Sequence, residues 1–151
     1  MDLPPRTPLP AVAVPVFDWL AQSVARQLHV PVALVSLVDV AGQVFPGLFG
    51  LPEPWASERA TPLSHSFCQH VVTSGLPLVV ANANDNLLVA DNLAIMDLGV
   101  IAYAGVPLQT DAGLTVGSVC AIDHRPRQWT DTELDDLTQI AAECSAELHS
   151  A

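Results

Sequence analysis

Apolar residues near the start of the chain recur at alternating spacings of three and four, the repeat of an amphipathic helix. We predict a helix that begins at Val16 and that Pro31 ends. Its apolar stripe consists of Phe17, Leu20, Ala21, Val24 and Leu28. Five prolines lie within residues 1–15, which we expect to form an extended lead-in.

Several later segments carry the apolar patterns of β-strands. Residues 32–39 are almost continuously apolar and rich in β-branched side chains, which predicts a strand buried on both faces. A short turn then leads to a hairpin partner at residues 43–49. Further strands are predicted at residues 78–81, 101–109 and 115–122, and the proline-rich residues 50–63 are predicted to be a loop.

Cap signals mark two helices in the middle of the chain. Ser66 and Gln69 have the spacing of a capping box, in which each side chain satisfies an amide at the helix start. Gly75 then has the position of a left-handed helix end. A second, short helix is predicted at residues 91–98 and ends at Gly99.

The final helix has the strongest signals. Thr130 and Glu133 form a second capping box, and Trp129 and Leu134 have the spacing of a hydrophobic staple. Its apolar residues repeat at the a/d spacing of a coiled coil: Leu134, Leu137, Ala141, Cys144 and Leu148. This seam predicts a homodimer formed through the first and last helices. In the alternative, both apolar stripes are used inside one monomer.

The predicted order is helix, two strands, helix, strand, short helix, two strands, helix. An antiparallel sheet with helices on both faces is the simplest way to bury all of these elements, so we predict an α+β fold. The chain of 151 residues fits one domain, which we assign to residues 16–150.

Charge and cysteine content narrow the classes of function. The formal net charge is −11 and the five basic residues are scattered arginines, which disfavours binding to nucleic acid or to anionic membranes. The absence of lysine is typical of GC-rich bacterial genomes. Three cysteines make a poor disulfide framework, and no leader or membrane-spanning segment is predicted, so we expect a cytoplasmic protein.

Several segments together resemble the GAF domain: SFCQHVV at residues 66–72, YAGVPL at 103–108, GSVCAID at 117–123 and RPRQWT at 125–130. The resemblance covers nearly all of residues 17–148. The chain is similar to the GAF domains at the front of bacterial sporulation-type phosphatases, histidine kinases and diguanylate cyclases. This resemblance implies a five- to six-stranded antiparallel sheet. The terminal helices are expected on one face, and the helices on the other face are expected to cover a pocket.

The resemblance also implies a function. Such domains receive a small molecule, a redox change or a partner contact and relay it through their terminal helices to an output domain, such as a phosphatase, kinase or cyclase. From the resemblance and the predicted elements, we place five residues at the pocket of this chain: Phe67, Cys68, Asp85, Asn92 and Tyr103. No catalytic residue is assigned, and the ligand is unknown.

Three of these assignments have simpler alternatives. Cys68 lies in the first turn of a capped helix, where the helix dipole favours a thiolate, but it could equally be a small buried apolar residue. Asp85 and Asn92 could bind a polar ligand at the start of the short helix or could serve only in loop and cap hydrogen bonds.

Cofactor sites are not predicted. The histidines and cysteines lack the spacing of metal ligands. In bilin-binding relatives the attachment cysteine generally lies before the fourth strand, and residues 85–103 of this chain contain no cysteine. The Asn-Lys-Phe-Asp-Glu signature of cyclic-nucleotide-binding members is absent too, because the chain has no lysine.

The alternative function is that of a thiol enzyme. Free methionine sulfoxide reductase, a member of this family, also uses three cysteines. Here Cys120 lies within a predicted strand and Cys144 lies on the apolar seam of the last helix. A resolving thiol must reach the attacking thiol, and a buried seam position is poorly placed to do so. We therefore predict a sensory domain without catalytic activity.

Overall fold

The computed structural model describes Leu3 and residues 11–150, except for the side chains of residues 149 and 150. Within this part of the chain the helices are α1 (Pro15–Leu28), α2 (Trp55–Glu58), α3 (Cys68–Ser74), α4 (Ala94–Leu98) and α5 (Asp131–Ser150). The strands are β1 (Val32–Asp39), β2 (Gly42–Phe49), β3 (Ala60–Thr61), β4 (Leu78–Val80), β5 (Ala102–Gln109) and β6 (Thr115–Asp123). Most of the predicted lead-in lies outside the described residues.

The described strands form one antiparallel sheet in the order β3-β2-β1-β6-β5-β4. The central pairs are β1 with β6 and β6 with β5. Ser36 lies opposite Ser118 in the first of these pairs, and Cys120 lies opposite Gly105 in the second. The predicted α+β fold with a five- to six-stranded antiparallel sheet is confirmed.

The two faces of this sheet carry two separate apolar cores, because successive side chains of a strand point to opposite faces. On β6, Val119 and Ala121 belong to the core beneath α1 and α5. Cys120 and Ile122 belong to the core beneath α3 and α4. The terminal helices therefore share one face, as predicted, and α3 and α4 cover the other.

The guanidinium group of Arg127 holds the terminal helices in place at one end of the sheet. It donates hydrogen bonds to the Leu28 carbonyl at 3.0 Å and to Asp123 at 3.2 Å, and it also pairs with Glu133. The same guanidinium group lies 4.5 Å from the ring centroid of Trp129. One side chain thus joins the end of α1, the end of β6 and the start of α5.

The a/d residues of α5 pack inside the monomer. Leu137, Ala141 and Cys144 are buried against the sheet and α1, and Leu134 and Leu148 pack at the edge of the same core. The sequence pattern alone could not separate the two arrangements, because a helix on a sheet and a helix in a coiled coil both use a narrow apolar stripe. The seam proposed for dimer formation is therefore already occupied.

Some predicted boundaries were wrong. Residues 50–63 are not a simple loop, because they contain α2 and β3, and Trp55 packs against the second core. The short helix begins at Ala94 rather than at residue 91, and α1 ends at Leu28 because His29 takes a left-handed conformation with φ of 56°. Within the described residues no helix is both long and apolar enough to span a membrane.

The predicted cap signals are largely confirmed. Thr130 and Glu133 exchange side-chain-to-backbone hydrogen bonds of 3.1 and 2.9 Å, a complete capping box. At α3 only half of the box forms, since Ser66 Oγ accepts from the Gln69 amide at 3.1 Å but the Gln69 side chain donates to carbonyls. Gly75 and Gly99 end their helices in the left-handed conformation.

Candidate functional site

A small cavity lies between the sheet and the helices α3 and α4. It encloses about 20 Å³, which is room for one water-sized molecule and far less than the several hundred Å³ of a typical ligand pocket. Aliphatic and aromatic side chains form most of its wall, and a few polar groups interrupt them. The lining residues are Leu34, Gln43, Phe45, His65, Phe67, Cys68, Ala94, Leu98, Val100, Tyr103 and Ile122.

Polar contacts hold α4 in place over this cavity, and we refer to α4 as the lid of the cavity. His65 Nε2 and Asp97 Oδ2 are 2.6 Å apart, and His65 Nδ1 is 2.9 Å from Ser64 Oγ. Asn92 donates from Nδ2 to the Ser66 carbonyl at 2.9 Å and accepts at Oδ1 from the Ala94 amide. A larger ligand can enter only if these contacts break or lengthen.

Tyr103 is the largest fully buried side chain on this face of the sheet. Its ring lies over Gly105, two residues along β5, where any Cβ would collide with the phenol ring and hydroxyl. The Phe67 ring packs beside it with a centroid distance of 5.3 Å. Because Gly105 is opposite Cys120, this arrangement brings the Tyr103 hydroxyl next to β6.

A chain of polar side chains runs through this otherwise apolar core. Cys68 Sγ is hydrogen-bonded to Tyr103 Oη at 3.1 Å, and Tyr103 Oη is hydrogen-bonded to Ser118 Oγ at 3.1 Å. Ser36 faces the same cluster from β1: its fully buried Oγ makes no well-formed hydrogen bond among the described residues, but it lies near the Cys68 thiol and helps to lower the pKa of that thiol. An unpartnered buried hydroxyl is costly, so Ser36 has capacity for a further polar atom.

The neighbouring thiol and burial set the ionisation of this cluster. A hydrogen bond with Cys120 lowers the pKa of Cys68 to about 7, although burial opposes this change. Burial, with Cys68 adjacent, raises the pKa of Cys120 well above its usual value. On the other face of the sheet, burial raises the pKa of Cys144 to about 12. Of the three thiols, that of Cys68 is the one whose pKa is lowered.

The predicted pocket residues fall into three groups. Phe67, Cys68 and Tyr103 meet around the cavity. Asn92 does not line the cavity. Its side chain instead helps to hold the lid in place by a hydrogen bond to the Ser66 carbonyl. Asp85 is exposed in a 3-10 turn and also lies outside the cavity lining, so a part for it in ligand binding stays a prediction.

Sequence reasoning assigned neither His65 nor Cys120 to the pocket. The strand assignment of Cys120 was right, but its side chain lies on the face that α3 covers, in the same core as Cys68. The missed signal was strand alternation, which places Ser36, Ser118 and Cys120 on the face that α3 covers.

Two further features bear on what the site can hold. No group of three or more His, Cys, Asp and Glu side chains capable of holding a metal ion occurs among the described residues. A larger, open groove of about 650 Å³ lies on the opposite face, between α5 and the end of β5. It is separate from the thiol cluster and includes Pro107, Thr138 and Ala142.

Known proteins share parts of this sequence and fold. The chain is 33% identical over 113 residues to a cyclic di-GMP phosphodiesterase from Pseudomonas aeruginosa, over 74% of this chain and 18% of that protein. The chain thus spans less than a fifth of the length of this relative. No activity of the whole relative follows for this segment.

Solved structures show the same fold at low sequence identity. The blue-light-absorbing form of the PixJ GAF domain from Thermosynechococcus elongatus has a TM-score of 0.71 at 19% identity, over 90% of this chain and 84% of that one. A type II free methionine-R-sulfoxide reductase from Thermoplasma acidophilum has a TM-score of 0.72 at 12% identity, over 90% and 92%.

The family match rests on sequence and covers both cores. Residues 14–148 match the family model of the GAF domain, from the residue before α1 to the last turns of α5. The segments that carry the resemblance include the strands β5 and β6 and the start of α3. The chain belongs to the GAF domain family.

Proposed function

We propose that this GAF domain is a regulatory input module: it receives a signal on the α3–α4 face of the sheet and relays it to the terminal helices. The observation that carries this proposal is that the same three strands, β1, β6 and β5, contribute side chains to both cores. Alternate side chains of each strand belong to opposite cores. Close-packed interiors transmit displacement, so a shift of these strands at the cavity also moves the surface on which α1 and α5 rest.

The small cavity supports a function without catalysis. Cavity and lid leave no space in which a substrate of ordinary size could lie beside Cys68. A signal can act here by changing the cluster itself or by opening the lid. The three buried free cysteines suit the reducing cytoplasm, where we place the protein.

The relay requires an output domain to act on. The Pseudomonas aeruginosa relative matches this chain over 18% of its own length and is a cyclic di-GMP phosphodiesterase. We propose that this domain regulates an output domain of a signalling protein, such as a phosphatase, a kinase, a cyclase or a phosphodiesterase.

A homodimer would give the terminal helices a partner to act on. With the a/d residues of α5 buried, pairing has to use the outer surfaces of α1 and α5. Trp19 on α1 is 57% exposed, and α5 presents the exposed small residues Ala142 and Ala146. A second helix can approach such a surface closely, and we propose that the second helix belongs to another copy of this chain.

A reductase of free methionine sulfoxide is the second candidate, favoured by the position of Cys68 and Cys120 in the same core and by the shared fold. Against it, a cavity of about 20 Å³ cannot hold an amino-acid substrate beside Cys68. We expect no turnover when the protein is incubated with free methionine-R-sulfoxide and dithiothreitol. Turnover that disappears in Cys68→Ser would establish the enzyme and refute the regulatory proposal.

The relay is tested with two equivalent truncations. Phe67→Ala removes a buried ring from the cavity wall, whereas Phe49→Ala removes a ring that is 41% exposed at the end of β2. We expect Phe67→Ala to shift the amide resonances of α5 in two-dimensional NMR spectra, because β5 and β6 adjust under that helix. Phe49→Ala should leave them in place. Shifts confined to the α3–α4 face in Phe67→Ala would contradict the relay.

Dimer formation is tested with two Ala→Glu variants at exposed positions. Ala142 lies on α5, and Ala112 lies in the turn between β5 and β6. Light scattering in about 0.15 M salt, where the charge of −11 per chain is screened, should show a dimer for the wild type and for Ala112→Glu. Ala142→Glu should be monomeric. A wild type that stays monomeric at high micromolar concentration would end the dimer proposal.

A further inference from the structure

Three observations place the thiols of Cys68 and Cys120 side by side. The Cys68 sulfur lies 3.1 Å from the Tyr103 hydroxyl, and the Tyr103 ring lies over Gly105. Cys120 is the residue opposite Gly105 in the neighbouring strand and points to the same face. Each thiol also shifts the pKa of the other, as neighbouring thiols do. They belong to different elements, since Cys68 begins α3 and Cys120 lies near the end of β6.

We infer that Cys68 and Cys120 are a redox pair that hydrogen peroxide converts to a disulfide bond between α3 and β6. The inference rests on the proposed function only where the disulfide is read as the signal; the bond itself can form whether or not a relay exists. Cys144 has no part in it, because it lies in the other core, beneath α1 and α5.

The chemistry balances in two steps. The Cys68 thiolate attacks one peroxide oxygen, an S–O bond forms, the O–O bond breaks, and the leaving hydroxide takes the thiol proton as water. Cys68 is then a sulfenic acid. The Cys120 sulfur attacks the Cys68 sulfur, an S–S bond forms, and the oxygen leaves with the Cys120 proton as a second water. Two thiols are oxidised by two electrons, and one peroxide is reduced.

The cluster is suited to the first step in two ways. Cys68 lines the cavity, whose volume of about 20 Å³ fits a molecule with few atoms and excludes a bulky organic hydroperoxide. The Ser36 hydroxyl is buried beside Cys68 without a well-formed hydrogen bond among the described residues, and it can donate a hydrogen bond to the oxygen transferred to sulfur. The sulfenic acid thus forms next to its resolving thiol and away from bulk water.

Disulfide formation would also rearrange the core. In the protein with free thiols, the Tyr103 hydroxyl is hydrogen-bonded to Cys68 and to Ser118. Once the Cys68 sulfur bonds to Cys120, its hydrogen bond with Tyr103 is lost or weakened. The start of α3 is then fixed covalently to β6, one of the strands on which α5 packs.

The test treats the folded, reduced chain with hydrogen peroxide and locates the product by peptide mass spectrometry. We expect a loss of two hydrogen atoms and a linked pair of peptides that contain Cys68 and Cys120, in the wild type and in Cys144→Ser. In Cys120→Ser the linked pair should be absent, and Cys68 should accumulate as sulfenic and then sulfinic acid. Cumene hydroperoxide, which is too large for the cavity, should give the linked pair more slowly.

Several results would overturn the inference. These are a wild type that keeps three free thiols while the denatured chain is oxidised, a disulfide that includes Cys144, or sulfinic acid at Cys68 with Cys120 still reduced. Equal rates with both peroxides would refute the cavity as the route of the oxidant. The relay is judged separately: a correct disulfide that leaves the NMR resonances of α5 unchanged supports the redox pair and contradicts the proposed function.

Discussion

The three central strands of the sheet are covered on both faces, and this constraint governs the rest of the molecule. A strand buried on both sides cannot move against one core without disturbing the other, because interiors are close-packed. On β6 the alternation is strict: Val119 and Ala121 serve one core, and Cys120 and Ile122 serve the other. The helices above and below are therefore linked by the strands they share.

The same constraint explains why the polar cluster stands out. Most of the face beneath α3 is aliphatic or aromatic, so each polar group there must find a partner or remain at a cost. Tyr103 satisfies Cys68 and Ser118, and Gly105 leaves the space that its ring occupies. Among the described residues, the buried Ser36 hydroxyl is left without a well-formed hydrogen bond. The redox pair proposed above depends on this cluster, which holds two thiols and the buried Ser36 hydroxyl on one face of the sheet.

Sequence patterns predicted the elements better than the contacts between them. The stripe of α1, the buried β1 and the capping box at Thr130 follow from local spacing and were confirmed. The four residues of α2 are too few to show a period and were missed. Nor could spacing show whether the α5 seam faces a sheet or a second helix. Cys68 and Cys120 are far apart in sequence, and only the packing of α3 on the sheet brings both of them to the core around Tyr103.

The coupling of the two cores through shared strands is tested most directly by a double-mutant cycle across the sheet. Phe67→Leu trims the core beneath α3, and Leu137→Ala trims the core beneath α5. Free energies of unfolding would be measured for the wild type, both single variants and the double variant. Coupled cores predict an interaction energy above about 0.5 kcal/mol, as for residues linked through a backbone shift. Additivity within about 0.3 kcal/mol would show that the two faces are independent and would contradict the account.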